Sequence, residues 1–351
     1  MFQCLYNYTN VMINVGIVGF GLSGRYLQAP FFLTNPKFNL VKIVTSQELP
    51  PHIFVDTERA ASIDELLADK SIDLISVCSP SATHFDYAKR ALEAGKHVLV
   101  EKPVTARAAE AATLFDLAAK LNKVLCVFQN RRYDSDFQTV RKVVESGILG
   151  EVLSYEAHFD RYKPVLNAKA WKEAPDATTG ILYDLGAHLV DQAICLFGKP
   201  DSFSGEAFTQ RANSEIDDAF QLHLDFGRVK ATLKSSLLVK DQGPKYVVHG
   251  TLGSYTKYGM DLQEDHLVSG QFPVQPGFGR EPASADGRIR TSLKGLEIEG
   301  KVETLPGNWA QLFDNLAEAI RSGKELDIKP WEIVEQIRIL DTVKTAGRHN
   351  G

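Results

Sequence analysis

The stretch INVGIVGFGLSGRYLQ, from Ile13 to Gln28, decides the fold of this chain. Its opening residues are apolar and rich in β-branched side chains, which indicates a short strand buried on both faces. Gly19, Gly21 and Gly24 follow in the pattern GxGxxG, directly before a helical segment. One such glycine makes a tight turn, one lets the backbone approach a pyrophosphate, and one allows close helix–strand packing. The pattern predicts a dinucleotide-binding loop, with a ligand-free glycine turn as the alternative.

Strand-like and helical runs alternate from this loop to residue 130. Further apolar runs typical of buried strands lie at residues 40–46, 73–80, 97–103 and 123–130. The residues between them have helical character, and a parallel sheet needs such crossover helices between consecutive strands. The alternation predicts an α/β fold with a doubly wound parallel sheet.

The pattern changes after residue 130. A helical run ends at Gly147, and several strand-like runs then follow without helices between neighbours. These runs lie at residues 151–162, 217–226, 228–239 and 245–250. They predict a large open sheet, mixed or antiparallel. Residues 268–300 are predicted to form a loop or flap, and helical runs at 308–323 and 331–347 close the chain.

The length of 351 residues exceeds one typical core and fits two domains. We predict a nucleotide-binding domain at residues 12–130 and an α+β domain at residues 131–351, with the final helix packing back on the first. Residues 1–11 lack the basic start and the cleavage site of a secretory signal. We interpret them as a tag remnant or an early start codon, with a short N-terminal arm as the alternative.

The amino-acid composition limits the kinds of partner that this protein can bind. Hydrophobic residues make up 44% and charged residues 24%, as in ordinary soluble proteins. The net charge of −5 argues against a nucleic-acid-binding surface, and no apolar run approaches the ~18–20 residues that span a bilayer. The scattered cysteines predict free thiols in a reducing, cytoplasmic compartment and no metal site. They are Cys4, Cys78, Cys126 and Cys195.

The end of the second strand bears on the choice of cofactor. NAD-specific sites usually carry an acidic residue there, which binds the ribose hydroxyls. This chain has Thr45, Ser46 and Gln47 at that point, and Glu48 comes slightly too late. Without a carboxylate a 2′-phosphate is not repelled, and the hydroxyls of Thr45 and Ser46 can bind one. These residues favour NADP, and because no arginine is adjacent in the sequence, NAD remains the alternative.

Glu101, Lys102 and Pro103 form the tripeptide EKP at the carboxyl end of a predicted parallel strand. Ligands of open α/β sheets bind beside such strand ends. Pro103 fixes the local turn, with a cis peptide as one option, and aims the Lys102 ammonium into the crevice. The alternative is an ordinary exposed lysine.

The segment GILYDLGAHLVDQ carries Asp184, His188 and Asp191. Asp184 and His188 are four residues apart, so on an α-helix they share a face. A carboxylate beside an imidazole can orient it and hold its tautomer, as a general base requires. The alternatives are a pair that caps the helix start, or metal ligands for which the sequence shows no third partner.

Two more segments carry candidate binding residues. NRRYDSDF begins at Asn130, after the fifth strand, and its arginines either contact phosphates or a substrate hydroxyl or form a solvated turn. HFDRYKP contains Arg161 and Tyr162 on a strand where side chains alternate. One side of that strand can line a pocket, while the other is sheet surface.

Taken in order, these motifs resemble the Gfo/Idh/MocA family of NAD(P)-dependent oxidoreductases from residue 13 onward. The segments that carry the resemblance are GFGLSG, SPSATHFDYAKRALEAGKHVLVEKP, NRRYDSDF, HFDRYKP and TGILYDLGAHLVDQAICLFG. NRRYDSDF and YDLGAHLVDQ look like the branch that contains scyllo-inositol dehydrogenases. The resemblance implies a Rossmann domain, an open mixed sheet, and homodimers or homotetramers that assemble through that sheet.

The resemblance also assigns site residues. It implies that Lys102, Asp184 and His188 are catalytic and also contact the substrate. The alternation along the HFDRYKP strand, rather than the resemblance, adds Arg161 or Tyr162 as expected substrate contacts. The expected cofactor-binding residues are Gly19, Phe20, Gly21, Leu22, Ser23, Gly24, Thr45, Ser46, Ser79, Pro80, His84, Glu101, Lys102 and Asn130. Family members that use NADP tend to carry an arginine after the Thr-Ser of the second strand, where this chain has Gln47.

The expected reaction is reversible oxidation of a secondary alcohol on a polyol or sugar ring. His188 takes the hydroxyl proton, Lys102 stabilises the charge that develops on the oxygen, and Asp184 orients His188 or binds a neighbouring hydroxyl. A non-catalytic NAD(P)-sensing regulator and a glycosidase that recycles bound NAD are the alternatives. A sensor would be expected to have lost Lys102 or the Asp184/His188 pair, and this chain retains them.

Overall fold

The first half of the chain folds around a six-stranded, fully parallel sheet. The computed structural model describes residues 12–167 and 173–347, so the predicted tag or arm at residues 1–11 lies outside the described part. The strand order β3-β2-β1-β4-β5-β6 is that of a doubly wound dinucleotide-binding sheet, as predicted. The strands are β1 Ile13–Val18, β2 Phe38–Val44, β3 Glu58–Ala60, β4 Leu74–Val77, β5 His97–Val100 and β6 Leu125–Val127.

Helices cover both faces of this sheet, which explains its apolar strands. Val15 and Ile17 of β1 are fully buried, as are all residues of β4. The helices are α1 Ala29–Thr34, α2 Ile63–Ala68, α3 His84–Glu93 and α4 Ala108–Lys120. A π-helical turn, Ser23–Gln28, leads from the glycine loop into α1. The three residues of β3 are too few for a periodic signal, and the sequence analysis missed them.

The second half of the chain forms an eight-stranded mixed sheet with the order β14-β13-β12-β11-β7-β10-β9-β8. Its neighbours are antiparallel except for β7 and β10, which run parallel. This confirms the predicted fold class. The strands are β7 Val152–His158, β8 Ser202–Phe208, β9 Ala219–Phe226, β10 Val229–Ser236, β11 Tyr246–Gly250, β12 Gly253–Lys257, β13 Gly287–Leu293 and β14 Leu296–Val302.

The prediction of a loop or flap over residues 268–300 holds for residues 269–286, apart from a short 3₁₀ turn, and is wrong for residues 287–300. Within it β13 and β14 pair as an antiparallel hairpin at one edge of the sheet. Almost every residue of β14 is solvent-exposed, so no apolar alternation marks it as a strand. The missed strand β8, at the other edge, is likewise mostly exposed.

One face of the second sheet packs on helices. The rings of Tyr155 in β7 and Phe197 lie 5.4 Å apart, and Phe197 ends the helix beneath the sheet. The helices of this half are α5 Ser135–Glu145, α6 Ala187–Phe197, α7 Gln263–Val268, α8 Ala310–Ser322 and α9 Pro330–Gly347. No helix in the described part of the chain is long and apolar enough to cross a membrane.

The last two helices join the halves of the chain. Phe313 of α8 stacks on Phe31 of α1 with ring centroids 4.7 Å apart. Helix α9 contacts α4 of the first half as well as α6 and β8 of the second. The domain boundary at residue 130 itself stays a prediction.

The cysteines within the described residues carry free thiols, as the sequence predicts. Burial raises the pKa of the Cys126 thiol to about 12. Cys78 also has a pKa raised by burial to about 12. Both groups are therefore protonated near neutral pH and unreactive as nucleophiles. Cys4 lies outside the described residues.

Candidate active site

The three glycines of the loop have different surroundings. Gly19 has a φ of +98°, and a Cβ there would lie 2.7 Å from the backbone oxygen of Cys78. A Cβ at Gly24 would lie 2.1 Å from the backbone oxygen of Gly19. A Cβ at Gly21 would meet no atom within 4 Å. The protein's own packing explains two of the glycines, and the open space above Gly21 fits the approach of a dinucleotide pyrophosphate.

Between the glycines, the side chains are largely occupied by contacts within the protein, and the backbone remains available to a ligand. Phe20 is buried, and its ring packs edge-on against Phe54 at 5.4 Å. Ser23 turns inward, where its hydroxyl donates a hydrogen bond to Glu101. Leu22 is half exposed. Since Phe20 and Ser23 are committed to internal contacts, only the backbone of this loop is free to bind phosphate.

A network of buried hydrogen bonds holds the EKP segment in place. Glu101 accepts a hydrogen bond from Nε2 of Gln28 at 2.8 Å, and Oε1 of Gln28 accepts one from Ser76 at 2.6 Å. Gln28 is fully buried. The carboxylate of Glu101 thus ties the end of β5 to the glycine-loop helix. This is a positioning role, and nothing in the sequence pattern pointed to Gln28.

The side chain of His84 connects the two loops that follow β4 and β5. Its Nδ1 lies 2.7 Å from the backbone oxygen of Pro103, and its Nε2 lies 2.9 Å from that of Ser79. The side chain is 2% exposed, so both ring nitrogens are committed to the protein. His84 therefore joins the loop after β4 to the EKP segment, and the role of Ser79, Pro80 and His84 in cofactor binding stays a prediction. The Lys102–Pro103 peptide is cis, which is the option the sequence analysis named.

The loop after β2 lies beside the glycine loop. The amide of Gln47 donates to the backbone oxygen of Phe20 at 3.2 Å, and the hydroxyl of Thr45 accepts from the backbone N–H of Gln47 at 3.0 Å. An arginine that is more than ten residues away in the sequence also lies beside this loop. Arg59 stands on β3, which pairs with β2, and its guanidinium lies 2.7 Å from Glu48.

Lys102 and Asp184 meet across the gap between the two halves. Nζ of Lys102 donates to Oδ1 of Asp184 at 2.7 Å and to its backbone oxygen at 2.8 Å. The positive charge of Lys102 lowers the pKa of Asp184 to about 2, so the acid is ionised. Its side chain is 61% exposed, whereas that of Lys102 is 16% exposed. The pair is therefore open to a ligand from the cleft.

Asp217 holds the segment that carries Asp184. It accepts a hydrogen bond from the backbone N–H of Leu182 at 2.8 Å and is bound by Nζ of Lys344 in α9. Gly180 has a φ of +101°, and a Cβ there would lie 2.2 Å from the Asp217 carboxylate. The start of the Asp184 segment is thus fixed by an acid from the loop before β9 and a cation from the last helix.

His188 lies at the start of α6 with its ring 5% exposed. Its Nδ1 is buried without a hydrogen-bond partner, and its ring lies 6.5 Å from that of Phe159. Burial and the positive charge of Lys102, followed by other cations, hold the pKa of His188 well below its usual range. The imidazole is therefore neutral near pH 7 and able to accept a proton.

Asp184 does not orient His188 in this structure. Nδ1 of His188 has no hydrogen-bond partner among the described residues, and the carboxylate of Asp184 binds Lys102 across the gap instead. Asp191 forms two 2.7 Å hydrogen bonds with the guanidinium of Arg132. The expected orientation of His188 by Asp184 is therefore wrong for this structure, because Lys102 binds the carboxylate.

The arginines after Asn130 are neither a solvated turn nor free to bind phosphate. Arg131 is buried, with its guanidinium 2.6 Å from Glu264 and 3.2 Å from Asp134. Arg132 is buried in its contact with Asp191. Asn130 is also buried, at the start of a short 3₁₀ turn.

The structure brings Arg161, and not Tyr162, to the side of His188. The guanidinium of Arg161 lies 5.2 Å from the centre of the Phe159 ring, on the face that the alternation shares with buried Tyr155. Tyr162 points to the opposite side, 47% exposed, with Nζ of Lys240 over its ring at 5.5 Å.

The fold and the glycine loop define an oxidoreductase with a dinucleotide-binding domain. Residues 13–129 match the oxidoreductase family with an NAD-binding Rossmann fold, and residues 137–256 match the Gfo/Idh/MocA C-terminal domain. The chain belongs to the Gfo/Idh/MocA family, as its motifs indicate.

Similarity to individual proteins supports the same family assignment. The chain is 36% identical to scyllo-inositol 2-dehydrogenase (NADP(+)) IolW of Bacillus subtilis, over 96% of this chain and 94% of the relative. It is 32% identical to D-glucoside 3-dehydrogenase of Escherichia coli, over 55% of this chain and 56% of the relative. The solved structure of yvaA from Bacillus subtilis superposes with a TM-score of 0.94 at 34% identity, covering 97% of this chain and 98% of that one.

Proposed function

We propose that this protein is an NAD(P)-dependent dehydrogenase that acts on a secondary alcohol of a polyol or sugar-like substrate, with an inositol as the first candidate. The observation that carries the proposal is the meeting of Lys102, Asp184 and His188 in one gap. Lys102 comes from the end of β5, beside the glycine loop, and the other two come from the segment leading into α6. The names of the inositol and glucoside dehydrogenase relatives support the same substrate class.

The residues of this chain have distinct tasks in the proposed reaction. When bound, the dinucleotide supplies the nicotinamide that exchanges a hydride with the substrate carbon. The neutral imidazole of His188 accepts the hydroxyl proton during oxidation and returns it during reduction. The ammonium of Lys102 donates a hydrogen bond to the reacting oxygen and stabilises its negative charge.

Asp184 keeps Lys102 in place in this proposal. Its carboxylate and backbone oxygen hold the ammonium, and its exposed carboxylate oxygen can also accept a hydrogen bond from a neighbouring substrate hydroxyl. In this proposal Asp184 therefore positions Lys102, whereas the sequence had led us to expect that it orients His188. Division into domains at 12–130 and 131–351 and assembly into homodimers or homotetramers through the second sheet are part of the same proposal.

A panel of inositols, sugars and glucosides, each offered with NAD⁺ and with NADP⁺, tests the proposal. The readout is the absorbance of the reduced nicotinamide. We expect oxidation of at least one polyol or sugar, lost in His188→Ala. If the protein binds the dinucleotide but oxidises nothing in the panel, the dehydrogenase proposal fails.

A further inference from the structure

The loop after β2 is where a doubly wound sheet meets the ribose of a bound dinucleotide, and an arginine nearby can accommodate the 2′-phosphate of NADP. Strand β3 brings an arginine to this loop. It pairs with β2 at the edge of the sheet, with Arg59 opposite Ile43. The backbone N–H of Thr45 then donates to the backbone oxygen of Ala60 at 3.3 Å. Arg59 is therefore one residue away from the contact that joins β3 to this loop.

The polar side chains of the loop differ in what they bind. The amide of Gln47 donates to the backbone oxygen of Phe20 at 3.2 Å, which ties the loop to the glycine loop. Ser46 is exposed. Glu48 is the acid of the loop, and Nη1 of Arg59 lies 2.7 Å from its Oε1. The carboxylate that could bind the ribose hydroxyls is thus already paired with an arginine.

The contact between Arg59 and Glu48 is open to exchange. Their side chains are 47% and 92% exposed, and an ion pair between such exposed groups contributes little to stability. A guanidinium carries five N–H donors in one plane, which match two oxygens of a phosphate as well as those of a carboxylate. A phosphate monoester carries about −1.5 to −2 charges near pH 7, more than a carboxylate does, so a phosphate can displace Glu48 into solvent.

We propose, on the basis of the proposed function, that Arg59 binds the 2′-phosphate of NADP and that Glu48 competes with the phosphate for this arginine. When NADP binds, the phosphate replaces the carboxylate of Glu48 on the guanidinium. When NAD binds, the ion pair persists, and Glu48 is kept from the ribose hydroxyls that an acid of this loop would otherwise select. The pair of Arg59 and Glu48 thus sets the preference between the two cofactors.

Calorimetry of the whole protein with NADP⁺ and with NAD⁺ tests this inference without any substrate. The wild type should bind NADP⁺ at least as tightly as NAD⁺. Arg59→Gln should weaken NADP⁺ at least about tenfold, because charged hydrogen bonds to the phosphate are lost. It should leave NAD⁺ unchanged or bound more tightly, since Glu48 is then free for the ribose hydroxyls. Glu48→Gln should tighten NADP⁺, because the competing carboxylate is removed.

Two controls assign these changes to the 2′-phosphate and to Arg59. The first compares 2′,5′-ADP with 5′-AMP, which differ only in the 2′-phosphate, and Arg59→Gln should weaken the first ligand alone. The second is Arg25→Gln, which removes an arginine from the turn after the glycines, where its guanidinium lies 5.0 Å from the centre of the Tyr26 ring. It should leave the ratio of NADP⁺ to NAD⁺ affinity within about twofold of the wild type, because a contact outside the 2′-phosphate site acts on both cofactors alike. Thermal unfolding of each variant confirms that it is folded.

The outcomes separate the inference from the function beneath it. If both cofactors bind and Arg59→Gln keeps the wild-type affinity ratio, or if Arg25→Gln changes that ratio instead, the role of Arg59 is refuted while the dehydrogenase proposal stands. If the ratio changes as expected but no polyol or sugar is oxidised, the role of Arg59 stands while the dehydrogenase proposal fails. If neither dinucleotide binds, both fail.

Discussion

Nζ of Lys102 lies 2.7 Å from Oδ1 of Asp184 and 2.8 Å from the backbone oxygen of the same residue. The lysine follows a strand of the first sheet, while the acid belongs to the turn before α6, so this ion pair spans the gap between the two halves. The positive charge of Lys102 also lowers the pKa of His188, so the ammonium lies within electrostatic reach of that imidazole.

Replacing Lys102 with alanine should reduce kcat at least about a hundredfold, because a donor to the reacting oxygen is lost. Cofactor affinity, measured by calorimetry, should change only a few-fold, since the phosphate contacts lie at the glycine loop. Lys42→Ala is the matched control: it breaks a 2.6 Å ion pair between β2 and Asp69 and should leave kcat unchanged. A Lys102→Ala enzyme that keeps more than about a tenth of wild-type kcat would remove Lys102 from the mechanism.

Gly21→Val should abolish dinucleotide binding and leave the fold intact. A Cβ at Gly21 meets no protein atom within 4 Å, so the new side chain should enter the open space that we assign to the pyrophosphate. Gly24→Ala should instead lower the free energy of unfolding, because its Cβ would collide with the backbone oxygen of Gly19. Calorimetry gives the affinity and thermal unfolding gives the stability. Equal cofactor affinity in Gly21→Val and the wild type would show that this loop does not bind the cofactor.

The first sheet was predictable because its signals are local. Strands buried on both faces are apolar along their whole length, and Gly24 is required by a backbone contact within the loop itself. The EKP lysine was predictable for a related reason, since the end of a parallel strand faces the ligand in open α/β sheets.

The partners of the charged residues were not predictable, because they come from distant parts of the chain. Arg132 meets Asp191, and Lys245 reaches Asp136 from the residue before β11. The four-residue spacing of Asp184 and His188 predicted a contact between them, but the carboxylate of Asp184 binds Lys102. Lys102 is 82 residues away in the sequence, so this pairing appears only in the structure.

NADP⁺ should serve at least as well as NAD⁺, since the end of β2 presents Thr45 and Ser46 and no carboxylate. Ser46→Asp should shift the preference toward NAD⁺ by repelling a 2′-phosphate. Steady-state constants for both cofactors decide the question. Asn122→Asp, which adds the same charge just before β6 at the opposite edge of the sheet, is the control and should not change the ratio. A wild-type preference for NAD⁺ of tenfold or more, about 1.4 kcal/mol, would contradict the prediction.

His188 should impose an acid limb on the rate profile at a pH below the ordinary histidine value of 6.5. Burial and the positive charges of Lys102, Arg131, Lys245 and Arg161 all disfavour the imidazolium, so the base stays neutral until the pH falls well below that value. The measurement is kcat/KM for alcohol oxidation against pH, with a neutral substrate.

Two variants show whether that limb belongs to His188. Arg161→Gln removes one of the charges that lower the pKa of His188, so the limb should move to higher pH. His188→Ala should lose at least about a hundredfold in kcat together with the limb, and adding Lys102→Ala should cost little more, because the two groups act on one hydroxyl. Lys240→Gln, on the other side of the strand, should leave the limb in place. A wild-type limb at or above pH 6.5, or one that survives in His188→Ala, would show that another group accepts the proton.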